Sequence, residues 1–177
     1  MKRLKRTLKY QGSIIPVYAD TIELDNGKIV EWDYIDHIGA AAVVPVLDDG
    51  RILVVRQYRN TVDRVTLELP AGKKDVKGEP GIECASRELE EETGHASDSL
   101  EWLVNICSWV AFSNEIIEVF VATDLKKTKQ NLDEDEFVDV ESYTLEELKE
   151  KIFSGEIEDA KTISGLLAYE AKYLNKK

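Results

Sequence analysis

The chain has 177 residues, 43% hydrophobic and 33% charged, which allows one ordinary domain with a sizeable core. That excludes a disordered chain, a collagen-like repeat and a disulfide miniprotein. The net charge of −12 is concentrated in two places: six acids against one Arg over residues 79–94, and nine acids against one Lys over 133–150. This balance disfavours a nucleic-acid binder that works by phosphate neutralisation, and it suits a site for divalent metal ions.

The basic start (Lys2, Arg3, Lys5, Arg6, Lys9) reads as a solvated terminus. No apolar stretch of a signal peptide follows it, and no run approaches a membrane span, so a soluble, cytoplasmic protein without a membrane partner is expected. Cys84 and Cys107 each fall within a regular element and read as reduced, core-lining thiols.

Gly12–Leu24 is rich in Ile, Val, Tyr and Thr, and Asn26-Gly27 predicts a type I′ hairpin turn into a returning strand over Lys28–Asp36. Ala40–Leu47 and Arg51–Tyr58 form a second apolar pair around Asp48-Asp49-Gly50, again a hairpin, and Val65–Leu69 is a short strand ended by Pro70. Gly81–Thr93 has helical period with Gly94 as its stop; Ile82, Ala85, Leu89 and Thr93 share its apolar face. Leu100–Val110 and Ile116–Ala122 read as strands, and Leu145–Phe153 and Ala160–Leu174 as amphipathic helices interrupted at Gly155. Strands mixed with three helices predict an α+β sandwich with a mixed sheet. Residues 1–37 are expected to form a small N-terminal antiparallel β subdomain that packs on something else, and residues 38–177 the main domain.

On the 81–93 helix, Glu88, Glu91 and Glu92 fall within roughly a 100° arc beside the apolar face. Like charges at i,i+4 cost a few tenths of a kcal/mol per pair, about what a stabilising lysine there would return. Hard divalent ions want several carboxylate oxygens at 2–3 Å, and one helix face can supply them. Glu79, seven residues, then Arg87-Glu88-Leu89-x-Glu91-Glu92-x-Gly94 resembles the signature of the Nudix hydrolases, enzymes that use Mg²⁺ or Mn²⁺ to cleave a nucleoside diphosphate linked to another moiety. Val55-Arg56-Gln57-Tyr58-Arg59, Glu68-Leu69-Pro70-Ala71-Gly72, the β-rich start and Asp133-Glu134-Asp135-Glu136 resemble its ADP-ribose and nucleoside-diphosphate-sugar pyrophosphatase branch.

The resemblance implies a Nudix α/β/α sandwich and roles at the matched positions. Glu88 and Glu92 would be the principal metal ligands, with Glu91 sharing and the Ala71 carbonyl facing the metals. Arg87 would orient the glutamates, Glu79 would brace the loop against the helix, and Gly72 and Gly94 complete the box. Glu136 would bind metal or activate water, with Glu134 as its fallback. Arg56 and Arg59 would meet phosphates or the terminal ribose, with Glu68, Trp109 and Glu115 also lining the substrate. Glu115 is otherwise a surface carboxylate, Trp109 otherwise a core tryptophan. The resemblance also implies a homodimer formed through the N-terminal strands, with Tyr10 or Trp32 completing the partner's pocket.

Three positions depart from the pattern. Six residues rather than five separate Gly72 from Glu79, an insertion that Gly78 can absorb as a turn. His95 stands at the last apolar position of the box and reads as a capping neighbour. Trp109-Val110-Ala111 replaces a Ser-Pro-Gly segment, which weakens the assignment to ADP-ribose alone. The expected activity is Mg²⁺-dependent hydrolysis of ADP-ribose to AMP and ribose 5-phosphate, or of a related nucleoside diphosphate sugar. The alternatives are GDP-mannose or another nucleotide, and, in a different class, a non-catalytic module that senses a nucleotide.

Overall fold

The structure, a computed structural model, describes all residues except 133, 135, 176 and 177. The first three strands, β1 (Lys2–Gln11), β2 (Pro16–Glu23) and β3 (Ile29–Ile35), make a separate antiparallel sheet in the order β1-β2-β3. The basic start is solvated, as expected, but it forms a ten-residue strand. Its alternation is hidden because Lys and Arg occupy both faces, and both faces remain largely exposed. The turn into β3 is not type I′. Only Gly27 has positive φ (81°), Gly27 N donates to the Leu24 carbonyl and Leu24 N to that of Lys28. This is a three-residue loop with one left-handed glycine.

Asp48-Asp49-Gly50 repeats that geometry, with Gly50 at φ 84° and Leu47 N donating to the Arg51 carbonyl. The strands it joins, β4 (Ala40–Pro45) and β5 (Ile52–Arg59), share no ladder beyond the isolated Val46–Ile52 bridge beside the turn and part into different sheets. β5 sits between β6 (Arg64–Glu68) and β12 (Val138–Tyr143) in an antiparallel sheet. β4 lies between β7 (Ala71–Lys73) and β10 (Ile116–Thr123), with β9 (Ser99–Cys107) beyond. Only the β4–β10 pairing is parallel, so this sheet is mixed, as expected. A two-stranded ribbon of β8 (His95–Ala96) and β11 (Lys126–Lys127) closes the far end.

The period of two on β4 and β10 sets the layers. Ala41, Val43, Phe120 and Ala122 pack on Cys84, Ala85 and Leu89 of helix α1 (Gly81–Thr93). On the other face, Ala42, Val44, Val119 and Val121 meet Val54 and Leu67 of the second sheet and Leu69 just beyond it. Leu148 of α2 (Leu145–Phe153) and Leu166 of α3 (Ala160–Tyr169) close that core. This is the α/β/α sandwich. After Tyr169 the last helix widens into a π-type turn over Glu170–Leu174.

Two expectations change here. Cys107 is exposed; Cys84 is buried, and both are free thiols. Trp109 and Val110 lie in a turn and are exposed, so Trp109 is not a core residue. Among the described residues no helix is long and apolar enough to cross a membrane.

Candidate active site

Helix α1 has the bounds its periodicity implies, and Gly94 ends it at φ 64°. Its buried stripe differs from the expected one. Ile82 is exposed, while Glu88 (9% exposed) and Glu92 (3%) lie in the stripe itself with Cys84, Ala85 and Leu89. The small residues Gly81, Cys84 and Ala85 bring the helix close to β4 and β10, and the two carboxylates are carried under the sheet edge with it. A Cβ on Gly81 would meet the Glu118 carboxyl at 2.4 Å.

The opposing wall is the corner after β6. Pro70 ends that strand, and its carbonyl accepts from Val43 N at 2.9 Å, which lays Ala71 and Gly72 along β4. Ala71 N donates to Glu92 Oε2 at 2.9 Å. A Cβ on Gly72 would meet Glu88 Oε1 at 2.1 Å, so β7 can approach this carboxylate only with a glycine there. Gly78 turns the inserted loop at φ 91°, and Glu79 Oε2 accepts from Asp75 N within it.

Arg87 gathers the acids around itself. Its Nη1 donates to Glu88 Oε1 (2.7 Å) and Glu91 Oε2 (3.2 Å), its Nη2 to the Lys73 carbonyl, and Glu79 stands 3.6 Å away. This counter-charge is not enough for the buried pair. Burial pushes Glu88 up to about 7 against the pull of Arg87, with Glu91 and Glu136 adding to the rise. Burial pushes Glu92 up to about 8 against the Ala71 N–H and Arg59, with Glu88 and Glu136 again adding to it. Glu136 is thus close enough to act on both. Among the described residues no three acid side chains converge as a ready-made ion cluster. Arg87 holds two of the three box carboxylates toward itself.

The loop that carries Glu136 is fastened to the end of α1. Thr128 N donates to the Gly94 carbonyl and Asn131 N to that of Glu91. Gln130 Nε2 bridges the Glu92 and Val138 carbonyls at 2.7 and 3.3 Å. Glu134 is exposed, and positions 133 and 135 of the acidic segment lie outside the described residues. His95 sits on β8, paired with Lys127, its Nδ1 bonded to the Thr93 carbonyl as a capping neighbour.

The remaining residues expected at the site divide into groups. Arg59 reaches Glu68 with Nε and Nη2, both at 2.8 Å, and its charge acts on Glu92. Glu68 is 3% exposed, so it meets Arg59 rather than solvent. Arg56 points to the other face of β5, held by Glu141 (2.8 Å) and Glu156 (3.3 Å). The structure does not bring it to the glutamates, because adjacent strand positions alternate. Trp109 stacks on Phe112 (centroids 5.7 Å apart) and with His37 and Glu115 lines an apolar cleft of about 390 Å³. No hydrogen bond or ion pair joins Trp109 or Glu115 to Glu88, Glu91 or Glu92; Glu115 instead faces His37 at 3.5 Å.

Lys161 and Thr162 were not anticipated. Lys161 Nζ bonds Glu68 Oε2, and Thr162 Oγ1 accepts from Leu69 N at 2.8 Å. The sequence signal was a lone lysine in the first turn of an apolar helix, after an Asp159 cap.

The NUDIX domain family matches residues 36–165. Over 178 aligned residues the chain is 39% identical to an ADP-ribose pyrophosphatase of Bacillus subtilis (strain 168), covering 99% of this chain and 93% of that protein. It is also 39% identical over 165 residues to a methanol dehydrogenase activator of Bacillus methanolicus, covering 92% and 88%. A crystal structure of ADP compounds hydrolase superposes with a TM-score of 0.85 at 22% identity, over 96% of this chain and 92% of that one. The matched stretch runs from just before β4 into α3 and takes in every element that builds the site: the chain belongs to the NUDIX domain family.

Proposed function

We propose that the chain hydrolyses the pyrophosphate bond of ADP-ribose, to AMP and ribose 5-phosphate, or of a related nucleoside diphosphate sugar, with Mg²⁺ as cofactor and Mn²⁺ as its substitute. One observation carries the reading: Glu88 and Glu92 are buried side by side with less counter-charge than their burial demands. The donor set is hard carboxylate oxygen, which fits a small divalent cation. Glu88, Glu92 and Glu91 would hold it, with the Ala71 carbonyl. When bound, it would screen the pyrophosphate oxygens and lower the pKa of the attacking water.

The chain's own residues do the rest. Arg59 binds the substrate phosphates with the guanidinium edge not committed to Glu68. Ala71 N fixes Glu92, and Arg87 orients Glu88 and Glu91 from the side. Glu136 takes the proton of the attacking water as general base. The similarity to a protein named ADP-ribose pyrophosphatase across nearly the whole chain supports the substrate class.

The reading includes a cytoplasmic homodimer. Its support is the N-terminal sheet, where Leu4, Leu8, Tyr10 and Trp32 are exposed; a monomer in light scattering at micromolar concentration overturns it. The activity is tested with a panel of ADP-ribose, GDP-mannose, UDP-glucose and nucleoside triphosphates, read by AMP or phosphate release. Turnover should be highest on ADP-ribose, vanish in chelator, return with Mg²⁺ or Mn²⁺, and be absent in Glu92→Gln. Robust turnover in excess chelator sinks the reading.

A further inference from the structure

Lys161 is a largely buried cation for which the reaction above has no use. It stands in the first turn of α3 with its side chain 11% exposed, and its ammonium lies between Glu68 Oε2 and, at 3.0 Å, Asp159 Oδ2. Asp159 already serves the helix, capping it by accepting from Thr162 N at 2.9 Å and from Thr162 Oγ1 at 2.6 Å. Glu68 carries the other half of the network. Its two oxygens accept from Arg59 Nε and Nη2, from Thr66 Oγ1 at 2.6 Å and from Lys161.

We propose that Lys161 is a positioning residue for the substrate phosphates that acts through Glu68, by taking up the Glu68 charge so that Arg59 keeps its own for the ligand. Without Lys161, Arg59 with the two carboxylates Glu68 and Asp159 would carry one net negative charge, which repels a pyrophosphate. Lys161 bonds Glu68 Oε2, the oxygen that Arg59 Nη2 also reaches, and Asp159 Oδ2, and so brings the four side chains to neutrality. Arg59 is the member whose charge acts on Glu92. Charge interactions among largely buried side chains are weakly screened, so Lys161 matters although it never touches substrate.

The arrangement is also fixed from behind. Thr162 Oγ1 accepts from Leu69 N, and a Cβ on Gly165 would meet Leu69 Cδ1 at 2.7 Å, so α3 is packed hard against the end of β6. The backbone that carries Lys161 is therefore fixed against the segment that leads to Ala71. A lysine needed only to solvate the helix would project outward from it.

The inference rests on Arg59 as the phosphate-binding cation, and the experiment separates the two. Steady-state kinetics on ADP-ribose with Mg²⁺ compare Arg59→Ala, Lys161→Met, Lys161→Arg and the double variant Lys161→Met/Glu68→Gln, with thermal unfolding of each. Lys161→Met should raise KM roughly tenfold, the scale of one lost charge contact, with kcat within about threefold. Lys161→Arg should stay near the parent, and the double variant should recover most of the KM, since removing both charges frees Arg59 again. A double variant no better than Lys161→Met overturns the proposal, because a purely structural role gains nothing from a second loss. If Lys161→Met does not fold, the double variant carries the test alone, having no unpaired buried carboxylate; a KM raised as far as in Arg59→Ala then overturns it. Should Arg59→Ala leave KM unchanged, the phosphate role of Arg59 fails and the Lys161 proposal fails with it. A raised KM in Arg59→Ala beside an unchanged one in Lys161→Met rejects Lys161 alone.

Discussion

Arg56 and Arg59 stand three residues apart on β5 and face opposite ways, Arg56 Nε to Glu141 and Arg59 Nε to Glu68, each at 2.8 Å. One joins β5 to β12, and the other joins β5 to β6 while its charge acts on Glu92. A pair read as equivalent thus has two different consequences. Arg59→Ala should raise KM by roughly tenfold or more, the value of a charge-assisted phosphate contact. Arg56→Ala should leave KM within about twofold and lower the melting temperature by a few °C at most, since its ion pairs are partly solvent-screened. Equal KM effects in the two variants would show that the facing of β5 does not govern substrate binding.

The two glycines beside the box offer a steric contrast. A Cβ at position 72 would meet the Glu88 carboxyl at 2.1 Å, and one at 81 the Glu118 carboxyl at 2.4 Å. Glu118 has somewhere to go: it is a half-exposed side chain held by Lys74. Glu88 is held between Arg87 and the Ala71–Gly72 corner. Gly72→Ala should cut kcat by about a hundredfold or more through a displaced ligand, on the scale of losing a positioned catalytic group. Gly81→Ala should keep most activity. Comparable kcat values for the two would mean that Glu88 relaxes as freely as Glu118.

The helix that carries the chemistry was legible because its spacing is local: Glu79, Arg87, Glu88, Glu91, Glu92 and Gly94 need only helical period and a stop signal. Glu68 was placed from the Leu-Pro-Ala-Gly neighbourhood, but its partner Lys161 was not, because the pair spans 93 residues and one lysine in an apolar helix reads as a solubility residue. β1 was missed for a different reason. A strand exposed on both faces has no hydrophobic alternation, and its Lys and Arg residues resemble a free terminus. The β4–β5 turn was correctly read as a turn, yet local sequence cannot say that the strands leaving it enter separate sheets.

Stability of the metal-free protein should pass through a maximum with pH. Burial would raise Glu68, but Arg59, Lys161 and Thr66 hold it at about 2, below the ordinary 4.5. Its contribution is complete above 4.5 and lost as pH falls toward 2. Glu88 and Glu92 act in the opposite sense. At about 7 and 8 the folded state keeps protons that the unfolded chain releases, so stability falls as pH rises from 4.5 toward 8. Thermal unfolding in chelator should give a lower melting temperature at pH 8.5 than at pH 5.5. Mg²⁺ should raise it more at pH 8.5, where both carboxylates are available without proton release. A metal-free protein more stable at pH 8.5 than at 5.5 would contradict the burial argument.

Glu136 and Glu134 are two residues apart on the acidic loop, and the Glu136 charge adds to the rise of both Glu88 and Glu92. A general base must reach water held at those carboxylates, so proximity to both singles out Glu136. Glu136→Gln should lower kcat by about 10²–10⁴ with little change in KM, the usual range for loss of a general base. Glu134→Gln, at an exposed position, should stay within about threefold of the parent by the same reasoning. The charge effect supplies a second readout that needs no substrate. Removing the Glu136 charge relieves repulsion in the buried pair, so the metal-free Glu136→Gln protein should melt higher at pH 8.5 than the parent. Glu134→Gln should not. If the kinetic loss falls on Glu134 instead, the base is the neighbour and the loop sits differently over α1 during turnover.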